Sequence, residues 1–259
     1  MYLIDSHVHL DDDRLAMDFT EVLNRARKAG VAAQVIPATH VGNWPRIQQL
    51  CSQHPDLYAC YGLHPCFMPH HTTEHLNQLA QWLGREQPVA VGECGLDYAT
   101  DNLDKSAQQK LFAGQLSLAR EFRLPIVIHA YKAVEDVIRM VRASGHYTGL
   151  VHSYNGSLQQ AHRLIDLGYK LSFGGAITYS RATRLKDLIS KLPLDSIVLE
   201  TDAPDQPSQQ YQGLRNEPAY LIDVWQCISA LRTEDAEEIA KITTQSAMDL
   251  FALPAFETV

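Results

Sequence analysis

The sequence predicts a parallel α/β fold, and within that class a single (β/α)8 barrel. Eight short apolar runs rich in β-branched residues recur along the 259 residues, and segments with helical spacing lie between them. Strands that alternate with helices are typical of a parallel sheet. Eight such units in about 250 residues match the size of a (β/α)8 barrel. Because no Ser/Gly-rich linker, low-complexity tract or charge block divides the chain, we expect one domain over residues 1–259.

The eight predicted strands share a short apolar run that is bounded by polar or turn-forming residues. They cover residues 2–7, 33–39, 57–63, 89–95, 126–129, 149–153, 170–177 and 197–201. Pro88 and Pro125 come directly before two of these runs. A proline at the first position of a strand costs no ladder hydrogen bond, so both prolines agree with a strand that begins at the next residue.

Five segments between the predicted strands have the spacing of helices, at 18–28, 106–123, 133–143, 158–167 and 182–191. In the second of these segments one stripe comprises Leu111, Gln115, Leu118 and Phe122. The alternative to a barrel is an open doubly wound sheet. That fold usually carries a glycine-rich phosphate loop after its first strand. Here the loop after the first strand holds histidines instead, which favours the barrel.

The charge balance argues against a strongly basic nucleic-acid-binding module. The chain has 22 Lys and Arg against 30 Asp and Glu, for a formal net charge of −8. Neutralising phosphates needs clustered basic residues. A nucleic acid could still be a substrate if bound metal ions supplied the positive charge. With 46% hydrophobic and 20% charged residues, the composition is that of a globular domain.

The cysteines and the N-terminus predict a cytoplasmic protein. The number of cysteines is odd, five in all, and no pair has C-x-x-C spacing. A disulfide framework or a zinc site built from thiolates is therefore not expected, and reduced thiols fit better. The first residues have no basic region followed by an apolar one, so no signal peptide is visible. No window approaches the roughly 20 apolar residues that a membrane helix needs.

Six of the eight predicted strands end with a histidine or a carboxylate. These ends hold His7 and His9, His64, Glu93 and Asp97, His129, His152, and Glu200 and Asp202. The active site of a (β/α)8 barrel is built from the carboxyl ends of its strands. Buried polar groups without partners would cost a few kcal/mol each. A bound cation at this end of the barrel would remove that cost.

The His-x-His pair at positions 7 and 9 is the strongest single signal for a metal site. Residues two apart on a strand face the same way, so both imidazoles can reach one ion. The full candidate set is His7, His9, Glu93, His129, His152 and Asp202. A catalytic zinc takes about three protein ligands, so six ligands suit two divalent ions per subunit with a shared carboxylate. Glu93 is the bridging candidate. Zn²⁺ or Mn²⁺ fit this ligand set better than Mg²⁺, which prefers oxygen ligands.

Six ordered motifs resemble the TatD family of metal-dependent hydrolases, within the wider amidohydrolase-like group. They read DSHVHLD at 5–11, GLHP at 62–65, GECGLD at 92–97, HSYNG at 152–156, TDAP at 201–204 and LRNEP at 214–218. The resemblance spans essentially the whole chain. It implies a (β/α)8 barrel with a dinuclear site, and a metal-dependent deoxyribonuclease activity that several members have. It also implies that His7, His9 and Asp202 hold one ion, that Glu93 bridges, and that His129 and His152 hold the other.

One position departs from the family pattern. The family usually has His-x-Arg after the fifth strand, where the arginine can contact a substrate phosphate. This chain has Tyr131 at the position of the arginine, and Lys132 follows it. Arg and Lys are not equivalent at a bidentate phosphate contact. The departure weakens the nuclease hypothesis and leaves the hydrolase hypothesis intact.

Asp202 and Glu93 are the expected catalytic residues. A divalent ion lowers the pKa of a water that it binds, and Asp202 could orient or deprotonate that water. Asp202 could instead cap a loop. The expected substrate contacts are His64, Lys132 and Arg215. For two of them there is an alternative: His64 could be a loop histidine with its bonds satisfied, and Arg215 could pair with Glu217 or cap the C-terminus of a helix.

Two further carboxylates and the other histidines have simpler interpretations. Asp97 could bond nearby backbone, and Asp5 could orient a ligand imidazole or face the barrel floor. We interpret six histidines as surface residues of loops or helices, namely His54, His70, His71, His75, His146 and His162.

Three functions remain as hypotheses. The first, which the family resemblance implies, is a metal-dependent phosphodiesterase that acts on DNA ends as a 3′-end exonuclease. The second is a hydrolase of a small-molecule ester, amide or phosphoester on the same metals, which the net charge and Tyr131 favour. The third, a non-catalytic metal-binding protein, fits a complete ligand set least well. The substrate is therefore expected to be DNA or a small molecule. No obligate protein partner and no membrane are indicated, and a monomer agrees with the sequence.

Overall fold

The computed structural model describes residues 2–99 and 104–255. Its eight strands form one parallel sheet in the order β1 to β8, and helices alternate with them along the chain. This arrangement confirms the predicted (β/α)8 barrel. The strands are β1 (Leu3–Asp5), β2 (Val31–Pro37), β3 (Leu57–Tyr61), β4 (Ala90–Asp97), β5 (Ile126–Tyr131), β6 (Gly149–Val151), β7 (Tyr169–Phe173) and β8 (Ile197–Leu199).

Ten α-helices lie in the described part of the chain. They are α1 (Asp13–Ala16), α2 (Phe19–Lys28), α3 (Trp44–Gln53), α4 (Glu74–Glu86), α5 (Lys105–Phe122), α6 (Val134–Ser144), α7 (Leu158–Asp166), α8 (Thr183–Lys191), α9 (Leu221–Leu231) and α10 (Ala236–Phe251). All five helices predicted from the sequence are confirmed, with ends that differ by one residue. The sequence interpretation missed α1, α3, α4, α9 and α10. No helix among the residues described is both long enough and apolar enough to cross a membrane.

The described residues group into two compact units, which we call the first unit and the second unit. The first unit combines the chain up to Ile36 with the chain from Lys170 onward. In it β1 pairs with β2, β7 pairs with β8, and Ser6 N donates to Leu199 O at the end of β8. β1 therefore lies between β2 and β8. The prediction of one domain stays a prediction.

The second unit comprises Pro37–Tyr169 and carries β3 to β6 in sequence order. β4 and β5 run close together, and their register pairs Gly95 with His129 and Asp97 with Tyr131. Gly95 has φ +134°, and a Cβ on it would lie 2.1 Å from the carbonyl oxygen of His129. Only glycine therefore permits this approach, and the approach brings the end of β4 beside His129.

Six strands end earlier than predicted, five of them by two residues and β7 by four. β7 ends at Phe173, and the expected continuation to residue 177 is a 3₁₀ turn over Gly175–Thr178. A Cβ on Gly175 would lie 2.2 Å from the carbonyl oxygen of Gln206, so the chain turns here in close contact with a neighbouring loop. β1 ends at Asp5, which leaves the His-x-His pair just beyond the strand and not on it. Backbone bonds from Val8 N to Val35 O and from His9 N to Ala203 O continue the pairing past that end.

β4 brings two carboxylates into the interior of the second unit. All eight of its residues are buried, and Glu93 and Asp97 are among them. A strand covered on both faces is expected to be apolar throughout. Two buried carboxylates in such a strand are costly unless they are paired or bind a cation. The groups that surround Glu93 and Asp97 therefore define a candidate functional site.

Candidate metal centre

The first unit holds a compact cluster of three potential metal ligands, His7, His9 and Asp202. The Nε2 atoms of the two histidines lie 3.3 Å apart. Asp202 Oδ1 lies 3.5 Å from His7 Nε2 and 3.4 Å from His9 Nε2. Ligands of a tetrahedral ion with bonds of about 2.0–2.1 Å are separated by about 3.3 Å. The three donor atoms thus already have the spacing that one such ion requires.

The backbone around this cluster ties the two ligand-bearing segments together. Asp202 N donates to His7 O at 3.0 Å, directly between the two. The buried carboxylate of Asp5 accepts hydrogen bonds from His7 N, Thr201 N and the Thr201 hydroxyl. Burial raises the pKa of Asp5 to about 8, although these hydrogen bonds act in the opposite direction. Asp5 therefore holds the backbone of the ligand His7 and that of Thr201, the residue before the ligand Asp202.

Asp202 has a second partner, which the sequence interpretation missed. The side-chain amide of Gln206 donates to Asp202 Oδ2, while Oδ1 faces the histidine pair. Asp202 itself has φ +56°, the left-handed conformation that Asp adopts more readily than most residues. Each carboxylate oxygen thus has its own role, because one is held by the protein and the other faces the ligand cluster.

The second unit holds another cluster, centred on Glu93 Oε1. His64 Nε2, His129 Nδ1 and His152 Nε2 lie 3.0, 3.2 and 2.8 Å from this oxygen. His129 Nδ1 and His152 Nε2 are 3.2 Å apart. Glu93 is only 2% exposed. A buried carboxylate encircled by imidazole nitrogens at this spacing is a second place for a cation.

Asp97 determines which nitrogen of His129 faces this cluster. His129 Nε2 lies 2.9 Å from Asp97 Oδ2, and its Nδ1 faces Glu93 and His152. A carboxylate on the far ring nitrogen keeps a proton there and leaves the near nitrogen as a lone-pair donor. Burial opposes the ionisation of Asp97, but hydrogen bonds from His129 and Ala99 N outweigh it and lower its pKa to about 2. Burial also opposes protonation of His129, yet bonds to Asp97 and Glu93 raise its pKa.

His64, predicted to contact substrate, lies against Glu93. Its Nδ1 accepts the backbone N–H of Cys66 at 3.0 Å, so its proton is on Nε2 and is donated to Glu93 Oε1. Burial lowers the pKa of His64, although Glu93 acts in the other direction. A substrate role for His64 stays a prediction. The nearby thiol of Cys66 is 3.4 Å from Asp97 Oδ2. Burial and that carboxylate raise the pKa of Cys66 to about 12, so it is not a thiolate.

The rim of the second unit carries Tyr131 and Lys132. β5 continues through Tyr131, whose side chain is 46% exposed. Lys132 follows with φ +52°, and its ammonium lies 5.8 Å from the centre of the Tyr131 ring. An aromatic ring and a cation therefore stand beside each other, two and three residues after His129.

Arg215, also predicted to contact substrate, forms the ion pair with Glu217 that the sequence left as the alternative. Its two terminal nitrogens donate to Arg14 O, to both carboxylate oxygens of Asp18 and to Glu217 Oε1, at 2.7–2.8 Å. An anion could bind these groups only by displacing a carboxylate. The arrangement braces the loop after β8 against α2.

His146 corrects the interpretation of six histidines as surface residues. It is buried, with Nε2 2.8 Å from Leu124 O and Nδ1 3.3 Å from the Tyr169 hydroxyl. No local pattern predicted the burial of His146, because its partners come from β7 and from the segment before β5.

The donor atoms of both clusters are imidazole nitrogens and carboxylate oxygens. This mixed set suits Zn²⁺, Mn²⁺ and similar divalent ions. The fit rests on the spacing of the donors and on the buried carboxylate of Glu93, which needs positive charge nearby. The residues present are therefore suited to divalent metal binding.

Comparison with known proteins agrees with this chemistry. Residues 4–252 match the family model described as TatD related DNase. The chain is 41% identical to the uncharacterized metal-dependent hydrolase YjjV of Escherichia coli K12, over 97% of this chain and 98% of that protein. It is 34% identical to the uncharacterized metal-dependent hydrolase YabD of Bacillus subtilis 168, over 97% and 99% of the two chains. The crystal structure of the Escherichia coli K12 TatD homologue YjjV superposes with a TM-score of 0.95 at 40% identity, over 97% of this chain and 98% of that chain.

Proposed function

The chain belongs to the TatD family of metal-dependent hydrolases, and we propose that it cleaves phosphodiester bonds at the 3′ end of DNA. The observation that carries this proposal is the spacing of the donor atoms of His7, His9 and Asp202, which fits one divalent ion without rearrangement. Support for the substrate class comes from the family alone. The proposal therefore separates into a metal assignment and a substrate assignment, which need different tests.

We assign one ion to His7, His9 and Asp202, and a second ion to Glu93, His129 and His152. Within each set the donor atoms lie 2.8–3.5 Å apart. Asp97 would fix the tautomer of His129 toward its ion, and Gln206 would hold the orientation of Asp202. The bridging role of Glu93 is a prediction from the family resemblance.

When bound, divalent ions lower the pKa of a water molecule and stabilise the charge that develops on the phosphoryl oxygens. The chain's own residues would supply proton transfer and positioning. Asp202 would act as the proton acceptor while it also contacts the ion, and the hydrogen bond from Gln206 to Oδ2 would hold its carboxylate in place. Lys132, which is exposed, would contact a phosphate, and the exposed ring of Tyr131 would stack on a base.

A hydrolase of small-molecule esters, amides or phosphoesters is the second candidate. Tyr131 takes the position of the family arginine, and the arginine at 215 is occupied by carboxylates. Together with the net charge of −8, this leaves few cations for a polyanion. The same metals and the same proton acceptor would serve either substrate.

The test is digestion of an end-labelled single-stranded DNA oligonucleotide by the purified protein with Mn²⁺ or Mg²⁺. Metal content is measured in the same sample, and Glu93→Ala is run beside it. We expect stepwise shortening from the 3′ end that the variant lacks. An intact oligonucleotide in a sample with full metal content would refute the substrate assignment and favour the small-molecule hydrolase.

Salt dependence adds a second criterion to this test. An enzyme that contacts several phosphates loses affinity steeply as salt rises, whereas an enzyme acting on a small neutral substrate does not. The same preparation can therefore be assayed on the oligonucleotide and on a neutral ester over one salt series. Equal salt dependence for both substrates would contradict extended phosphate contacts.

A further inference from the structure

Helix α5 buries two glutamines on the face that packs against the sheet. Gln108 and Gln115 are seven residues, about two turns, apart, and both are 0% exposed. Gln108 accepts the backbone N–H of Asp97 at 2.9 Å and donates to its carbonyl oxygen at 2.9 Å. Gln115 accepts the N–H of Leu63 at 2.8 Å and donates to its carbonyl oxygen at 3.0 Å. Each side-chain amide thus forms hydrogen bonds with both the N–H group and the carbonyl oxygen of one residue.

In this pattern the side-chain amide of each glutamine takes the place of a backbone peptide group of a neighbouring strand. An amide has an acceptor and a donor at one end, so it can pair with an exposed backbone edge as a neighbouring strand would. Asp97 is the last residue of β4, and Leu63 lies two residues beyond β3. At such ends the sheet ladder stops, and buried backbone groups need another partner. Helix α5 supplies that partner at both ends.

The two residues that the glutamines bind, Asp97 and Leu63, are each linked to a proposed metal ligand, His129 or Glu93. Asp97 is the residue whose carboxylate bonds His129 Nε2 at 2.9 Å. Leu63 precedes His64, whose Nε2 bonds Glu93 Oε1 at 3.0 Å. A shift of either backbone segment would move the partner of a proposed metal ligand. Of these two ligands, His129 Nδ1 and Glu93 Oε1 lie 3.2 Å apart.

We propose that Gln108 and Gln115 are positioning residues of the metal centre in the second unit. They hold the backbone of Asp97 and Leu63, and through those residues they set the orientation of His129 and Glu93 toward the ion. This inference rests on the proposed assignment of an ion to Glu93, His129 and His152. A purely space-filling role is the competing explanation, and it would be met by apolar residues such as Phe112 and Leu116 on the same face.

The test compares Gln108→Met and Gln115→Met with Leu116→Ala in the full-length protein. Methionine has a similar length and no amide, so it fills the space without gripping the backbone. Leu116→Ala removes packing from the same buried face without touching either clamp. Zn²⁺ affinity is measured by competition with a chromophoric chelator, and the melting temperature of the metal-free protein is measured in parallel. We expect each glutamine variant to weaken one of the two binding steps by about 10–100-fold, whereas Leu116→Ala lowers the melting temperature and keeps both affinities.

His129→Ala separates a failure of this inference from a failure of the metal assignment. If His129→Ala binds Zn²⁺ as the wild type does, the assignment of the second ion is wrong. If His129→Ala loses one ion while both methionine variants keep wild-type affinity, the glutamines only fill space and the inference is overturned. Gln115→Leu covers the case in which Gln115→Met does not fold. Leucine also fills the buried space and removes both hydrogen bonds to Leu63, so we expect the same loss of affinity, and an unchanged affinity would again overturn the inference.

Discussion

Asp97 Oδ2 and His129 Nε2 lie 2.9 Å apart, and this contact directs the other ring nitrogen of His129 toward Glu93 and His152. An isolated imidazole can place its proton on either nitrogen. Here the carboxylate decides the tautomer, because only a protonated Nε2 can donate to it. The pair thus converts a histidine into a ligand with one defined donor atom.

Replacing Asp97 with Asn should therefore weaken metal binding at the second cluster. The amide oxygen can still accept from His129, but the negative charge that strengthens the imidazole as a donor is lost. We expect a loss of about 10–100-fold in Zn²⁺ affinity with little change in fold. Chelator competition gives the affinity. Cys66→Ala, which removes the other side-chain contact of Asp97 Oδ2, is the matched control, and an equal loss in that variant would contradict the role given to the charge.

Asp202→Asn should remove most turnover while the protein stays folded. The amide can occupy the same space, yet it cannot accept the proton assigned to the Asp202 carboxylate. General base catalysis contributes about 10²–10⁴-fold in rate, and a loss of kcat in that range is expected. Steady-state kinetics and a melting curve measure the two properties separately. A variant with nearly wild-type kcat would remove Asp202 from the role of base.

Tyr131→Arg should increase nuclease activity. It restores the residue type that the family usually has after the fifth strand, at an exposed position beside Lys132. A bidentate guanidinium is the better phosphate ligand, so we expect a rise of about tenfold in kcat/KM on an oligonucleotide. Hydrolysis of a small neutral ester should not change. Lys132→Ala, which removes a cation, should reduce the salt dependence of oligonucleotide binding by about one phosphate contact. Lower nuclease activity in Tyr131→Arg would contradict this prediction and would indicate that the Tyr131 ring contributes more to binding the oligonucleotide than a guanidinium does.

Arg215→Ala should affect stability more than catalysis. Its guanidinium joins Asp18 and Glu217 in a partly exposed ion-pair network. Such pairs contribute modestly in water, so we expect a loss of about 1 kcal/mol in the free energy of unfolding. Urea denaturation measures this loss, and kcat/KM should stay within about twofold. A large fall in kcat/KM with unchanged stability would instead support the substrate contact predicted from the sequence.

His146 should make stability depend on pH in the acidic range. Burial lowers its pKa, although the bond to Leu124 O acts in the other direction. A histidine whose folded pKa is depressed stabilises the fold above its unfolded pKa, about 6.5, and this contribution is lost as pH falls through the folded pKa. The melting temperature of His146→Gln should therefore fall less than that of the wild type below pH 6.5. His162→Gln, at an exposed position of α7, is the control and should follow the wild-type curve.

The residue types of the metal clusters could be predicted because they are local properties of the chain. His7, His9 and Asp202 follow predicted strands, and the fold class places such ends where a barrel binds its ligands. In the structure their donor atoms come within 3.3–3.5 Å of one another. The prediction that the histidine pair lies on the strand was wrong, yet the outcome was similar because backbone pairing continues past Asp5.

The supporting residues could not be predicted in the same way. Asp97 and His64 looked like a structural carboxylate and a substrate contact. Their roles depend on which nitrogen or oxygen they meet on another strand, and this depends on strand register and on the direction of a side chain. His146 and Arg215 are similar cases. The partners of His146 are at least 22 residues away in sequence, and Asp18, which pairs with Arg215, is 197 residues away.

The alternation of strands and helices, the family and the chemical identity of the candidate ligands could all be predicted from periodicity, residue type and motif order along one chain. The tautomer of His129, the partner of His64 and the hydrogen bonds from Gln108 and Gln115 to the backbone could be seen only in the folded protein. These are contacts between segments distant in sequence, and their geometry arises only when packing sets the register of β4 against β5 and the position of α5.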